Sequence, residues 1–251
     1  MNLQIGFMWK FIVVVALLAT SCSPLYVPAT RNVPLFREQG EFQGSVYLTT
    51  GIDAQLAYAV SDNIAVMGNG SFLFDKVTDP EDYTRSNTFF EGGLGYYSVS
   101  KKSRIELFAG YGFGSGTSFA QYYFFTPYFG QKDLVATGKY NRIFIQPSIG
   151  TNGRDFNMAF TPRISIVDFT EFSSNDNDPA NAVVTIKPDE KPRVFIEPAL
   201  TGKVPIAGNL QGVFQLGLAV PLSGDVYFDY VPLQFSVGIQ LNTGSLRTRV
   251  Y

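Results

Sequence analysis

Histidine is absent from all 251 residues, and cysteine and tryptophan occur once each. Without histidine there is no Ser-His-Asp or Cys-His catalytic set and no histidine-ligated zinc. The usual general base near neutral pH is missing too. A single cysteine excludes an internal disulfide framework. Charge is also scarce, at 16% of residues against about 25% in typical soluble domains. The formal net charge is −2 with no basic block, which argues against nucleic acid as a partner. No apolar run reaches the roughly 20 residues that a membrane-spanning helix needs. If this chain crosses a membrane, it crosses as strands.

The longest apolar run, Phe11 to Ala19, follows the single basic residue Lys10 and precedes Thr20, Ser21 and Cys22. A basic start, a short apolar core and small residues make a secretory signal. The stretch Leu18-Ala19-Thr20-Ser21-Cys22 resembles a bacterial lipobox, with Ala19 where leucine is more usual. That resemblance implies cleavage before Cys22 and a covalent lipid on its thiol. The expected division is a signal peptide over 1–21, a lipidated N-terminal tether over 22–40 and a barrel domain over 41–251. The tether contains Pro24, Pro28 and Pro34 and lacks periodicity, so it reads as extended chain.

From Glu41 to Leu241 the pattern has period two. Ile52, Ala54, Leu56 and Tyr58 alternate with Asp53, Gln55, Ala57 and Ala59. Leu233, Phe235, Val237, Ile239 and Leu241 alternate with Gln234, Ser236, Gly238 and Gln240. Such alternation marks an all-β chain. One face carries bulky aliphatic and aromatic residues; the other is mostly Gly, Ala, Ser, Asn and Gln. A soluble sandwich would show Lys, Glu and Thr on its wet face. The bulky face runs for about nine to eleven residues per strand, the length a tilted strand needs to cross a bilayer. On these residues the chain resembles a bacterial outer-membrane β-barrel, antiparallel and up-and-down.

Connections support the same resemblance. Ser61–Asn63, Ser100–Ser103, Thr151–Arg154 and Ala207–Asn209 are short; Asp75–Ser86, Gly116–Gly138 and Thr170–Lys191 are long and polar. Outer-membrane barrels keep short turns in the periplasm and longer loops outside. Strands are predicted near 41–49, 52–60, 64–74, 87–99, 104–115, 139–149, 155–168, 192–204, 210–221 and 230–242, about ten. Eight, with one strand outside the ring, is the alternative. Merging 41–60 into one strand gives nine, an odd number that single-chain bacterial barrels avoid.

Alternation turns seven charges inward: Glu91, Arg104, Glu106, Arg142, Arg163, Arg193 and Glu197. Unpaired charge in a narrow barrel is costly, so these are expected to form ion-paired networks that fill the lumen. The acidic run Phe172–Asp178 lacks the spacing and terminal Glu of a calcium loop. The aromatic run Gln121–Phe129 reads as strand extension and outer girdle. Gly110, Gly112, Gly114 and Gly116 share a strand face with no helix after them, which is not a phosphate loop.

The functional expectation is a small outer-membrane barrel lipoprotein with a structural, surface-interaction or minor transport role. It is expected to act without a cofactor or metal and without enzymatic activity. Small-barrel lipid A deacylases, palmitoyl transferases, phospholipases and omptin proteases each depend on a catalytic histidine. Expected partners are outer-membrane lipids, the N-terminal lipid and the barrel assembly machinery, with the chain monomeric and its anchor facing the periplasm. Two alternatives remain open. One is a lipid-tethered soluble periplasmic barrel with an apolar ligand, which requires the bulky face to point inward. The other is a histidine-free membrane enzyme.

Overall fold

The computed structural model describes residues 25–76, 84–121, 133–174, 184–186, 191–222, 226, 228 and 230–243. Among them the chain forms strands and no helix. The strands are β1 (Phe42–Leu48), β2 (Ile52–Ala59), β3 (Ile64–Lys76), β4 (Thr84–Val99), β5 (Ser103–Gln121) and β6 (Asp133–Thr151). They continue with β7 (Asn157–Ser174), β8 (Val184–Ile186), β9 (Arg193–Ala207), β10 (Leu210–Leu218), β11 (Val220–Pro221) and β12 (Leu233–Asn242). Two are short flanking pieces: β8 on β7 and β11 on β9. The other ten close a ring in which each strand is antiparallel to its neighbours. The seam runs between β12 and β1, from Gln43↔Asn242 to Leu48↔Val237.

Period two sorts the side chains as expected. Leu216 and Val237 on the outer face are each 50% exposed, while Gln215 and Ser236 beside them are 1% exposed. The exposed apolar band continues through Leu56, Leu94, Tyr111, Ile143 and Ile164 around the ring. A continuous apolar outer wall of this size is a surface made for lipid. Bulky residues therefore point outward, which removes the basis for a soluble barrel with an apolar ligand inside.

Links 60–63, 100–102, 152–156 and 208–209 gather at one end of the ring. The strand ends that flank residues 49–51, 77–83, 122–132, 175–192 and 219–232 lie at the other, the long-link end. At the long-link end β5 and β6 extend well beyond the predicted termini at 115 and 139. The physical reason is a change on the outer face. Above the apolar band it carries Ser115, Thr117, Thr137, Lys139 and Glu171, and Lys139 pairs with Glu171 at 2.8 Å. Here the sheet continues into water, so the loss of apolar alternation is not the end of the strand. Of the aromatic run Gln121–Phe129, all but Gln121 lies outside the described residues, as does the acidic run beyond Ser174.

The segment before β1 departs furthest from expectation. Residues 25–36 are all buried, and they run inside the ring. Tyr26 forms a parallel bridge with Tyr230 in link 219–232, at the long-link end. The Phe36 ring packs at a tilt, centroids 5.4 Å apart, against Tyr97, whose hydroxyl donates to the Ser61 carbonyl at the short-link end. The chain thus descends the whole lumen and reverses at Gly40, φ 83°, to enter β1. It is extended, as its prolines require, and it fills the lumen as a plug.

The lumen is layered around this segment. Tyr26, Phe89, Tyr140, Phe169, Phe195 and Phe228 pack in the long-link half. Phe36, Met67, Tyr97, Phe108 and Phe144 form a floor near the short links. Charged and amide side chains lie between.

Candidate functional site in the barrel lumen

An extended segment surrounded by a wall cannot leave its amides without partners. Here the wall supplies side chains instead of a strand ladder. Asn87 Nδ2 donates to the Leu25 carbonyl (3.2 Å), and Arg163 Nη2 to that of Ala29 (3.3 Å). Thr30 N–H donates to Asp53 Oδ2 (2.8 Å), and Gln55 Nε2 donates back to the Thr30 carbonyl (2.6 Å). Gln146 Nε2 serves the Asn32 carbonyl (2.7 Å), and Lys203 Nζ that of Pro34 (2.9 Å). Arg104 Nη1 donates to the Leu35 carbonyl, and Phe36 N–H donates to Glu106 Oε1 (2.9 Å). The Asn and Gln residues of the inner face are thus the hydrogen-bonding surface for a threaded peptide.

The wall also leaves room for it. A Cβ on Gly217 would lie 2.6 Å from Arg31 Nη1, and one on Gly150 would lie 2.6 Å from Leu35 Cδ2.

At mid-height the ions converge. Glu91 accepts from Arg142 Nη2, from Arg163 Nη1 (3.4 Å) and from Asn69 Nδ2 (2.6 Å). Glu197 accepts from Arg163 Nε (2.7 Å), Ser165 Oγ (2.9 Å) and the Tyr26 hydroxyl (2.6 Å). Arg142 donates from Nη1 to the same Tyr26 oxygen (3.0 Å) and lies 4.1 Å over the Phe89 ring. Arg31 reaches Gln234 Oε1 (2.9 Å) and the Leu218 carbonyl (2.7 Å). Among the described residues the buried bases are Arg31, Arg104, Arg142, Arg163 and Lys203, and the buried acids are Glu41, Asp53, Glu91, Glu106 and Glu197. The five of each sign balance. A lone buried ion costs several kcal/mol even after relaxation, so this balance is a condition for the lumen to be filled at all.

The seven charges that alternation turned inward therefore separate into three places. Glu91, Arg142, Arg163 and Glu197 meet at the centre. Arg104 and Glu106 hold the plug near the short-link end. Arg193 is half-buried at the long-link end of β9, where its Nη1 donates to the Lys191 carbonyl (3.1 Å). Arg31, Glu41, Asp53 and Lys203 complete the set. Strand parity alone places Asp53 and Lys203 inside; nothing local marks Arg31.

Among the described residues no three His, Cys, Asp or Glu side chains gather in a metal-holding arrangement. Cys22 lies outside the described residues. Leu25, the nearest described residue to it, is at the long-link end. At the same end an open cleft of about 440 Å³ is lined by Ser86, Ser115, Thr117, Thr137, Lys139 and Glu171.

The chain matches no protein-family model and no curated protein sequence. Its fold is that of outer-membrane β-barrels. The crystal structure of the outer membrane protease OmpT from Escherichia coli superposes with a TM-score of 0.50 at 12% identity, covering 81% of this chain and 94% of that one. OmpT of Vibrio cholerae, an outer membrane protein, aligns over 84% of this chain and all of that one at 9% identity, but its TM-score of 0.19 carries no weight. The first likeness corrects the expectation of a non-enzymatic protein. A solved barrel with this fold is a protease, so the architecture gives no ground for assigning the chain as catalytically inert. At 12% identity the likeness extends to the fold alone.

Proposed function

We propose that this protein is a lipid-anchored integral outer-membrane barrel that works at its long-link surface and not by passage through its lumen. The observation that carries this is the threading of 25–36 through the ring, with every described wall layer packed on it. A lumen filled by its own chain and by balanced ion pairs leaves little continuous water. The long links, the polar upper wall and the cleft beside Lys139 and Glu171 then supply the interaction surface. Short links toward the periplasm and long links outward follow the usual arrangement of such barrels. A closed ring has no free sheet edge, which supports a monomer. Cleavage of the signal before Cys22, acylation of its thiol and insertion by the barrel assembly machinery complete the proposal.

The test is fractionation of Cys22→Ser carrying a conventional cleavage site. Retention in the outer-membrane fraction without the lipid supports an integral barrel; release to the soluble fraction overturns it. Because the fold is shared with a protease, peptide cleavage by the purified barrel is the first activity to measure.

A further inference from the structure

We infer that the mature N-terminus leaves the barrel through the long-link mouth, so that the acyl group on residue 22 enters the outer leaflet beside the long links. The inference rests on the proposal that Cys22 is acylated and the long links face outward.

Reach decides the side. Cys22 lies three positions before Leu25, a span of at most about 11 Å of extended chain. The hydrocarbon core is about 30 Å thick. Leu25 and Tyr26 are 1% and 0% exposed and are fixed at the long-link end. Val231 N–H donates to the Tyr26 carbonyl (3.1 Å), and the Tyr26 ring packs edge-on against Tyr140 and Phe228. From that position residue 22 cannot return to the short-link side, either through the lumen that 25–36 already fills or along the outer wall.

Topology points the same way. The ring closed by the seam Gln43↔Asn242 to Leu48↔Val237 surrounds a segment hydrogen-bonded to β2, β6, β9 and β10. Once the seam is closed, the filled lumen leaves no passage for an acyl chain. The modified end must be on the far side of the ring when the ring forms. The lipid is then a second attachment to the leaflet that the long links face.

The experiment inserts a short epitope between Ser23 and Pro24 of the full chain. Two control insertions lie between Phe125 and Thr126 in link 122–132 and between Lys101 and Lys102 in a short link. Antibody binding is compared on intact and permeabilised cells, and the mobility difference between unheated and heated samples on gels confirms that each barrel folds. The first two epitopes are expected to bind on intact cells as strongly as after permeabilisation, and the third only after it. A silent 23/24 epitope beside an accessible 125/126 epitope overturns the inference while leaving the barrel's orientation intact. Accessibility at 101/102 with silence at 125/126 overturns the orientation itself, and the inference with it. Silence of all three until lysis does the same. Should the insertion at 23/24 hinder folding, Pro24→Cys with a membrane-impermeant thiol reagent gives the same comparison, because an acylated Cys22 does not react.

Discussion

Gln215 treats Arg31 as a neighbouring strand would. Its Oε1 accepts from the Arg31 N–H at 2.8 Å and its Nε2 donates to the Arg31 carbonyl at 2.9 Å. A side-chain amide has the same donor and acceptor as a peptide group, so one wall residue satisfies both backbone groups of one plug residue. Gln215 also donates to Thr201 Oγ1 at 2.8 Å, which ties the clamp to β9.

Gln215→Leu keeps most of the volume but strands both Arg31 groups in a dry lumen. The expected cost is about 1–3 kcal/mol for each unsatisfied group. It should read as a lower urea midpoint for the loss of the fast-migrating folded band on gels. An unchanged midpoint would mean that Arg31 is not held there.

Glu91 sits between Arg142 and Arg163. Glu91→Gln leaves those guanidinium groups with less buried negative charge and should destabilise the barrel by about 3–5 kcal/mol. Adding Arg142→Met removes the orphaned ion and should recover much of the loss, since replacing a whole buried pair is often close to neutral. Equilibrium unfolding of the single and double variants checks the sign of the coupling.

Leu216 and Gly217 are adjacent in sequence and should fail for opposite reasons. Leu216→Arg puts charge on the lipid face and should cost about 2–4 kcal/mol near the midplane. Val237→Arg should behave likewise. Gly217→Val instead collides with Arg31, because even a Cβ there is 2.6 Å from Nη1. Deleting 25–36 should therefore relieve Gly217→Val and leave the Leu216→Arg penalty in place. Folding yields into lipid vesicles, with and without the deletion, separate the two.

In planar bilayers the full chain is expected to be electrically silent. Deleting 25–36 removes the plug and exposes Asn, Gln and charged groups to water, so discrete conductance steps should follow. Steady large conductance from the full chain would show that the lumen is open.

Much of this architecture was legible along the strands. Alternation separated Leu107, Ile143, Leu216 and Val237 from Arg104, Arg142, Gln215 and Ser236, because successive side chains on a strand point to opposite faces. Turn residues such as those at Ser61–Asn63 and Ala207–Asn209 marked reversals. The ends of β5 and β6 were less legible, since Ser115, Thr117, Thr137 and Lys139 continue the sheet above the apolar band.

The sequence by itself determined that this is an all-β chain with a lipid-facing side, a small polar side and inward charges of both signs that nearly cancel. Those properties are local, set by a two-residue period and by composition. Only the tertiary structure decided where 25–36 lies. That segment has no period, and two of its residues are prolines without an N–H. Its partners are remote, with Arg31 and Gln215 separated by 184 positions. The inner Asn and Gln residues have the same local pattern whether they face water or a peptide. What distinguishes the two is closure of the ring, which brings β2, β6, β9 and β10 around one strand of chain and makes their side chains its hydrogen-bonding partners.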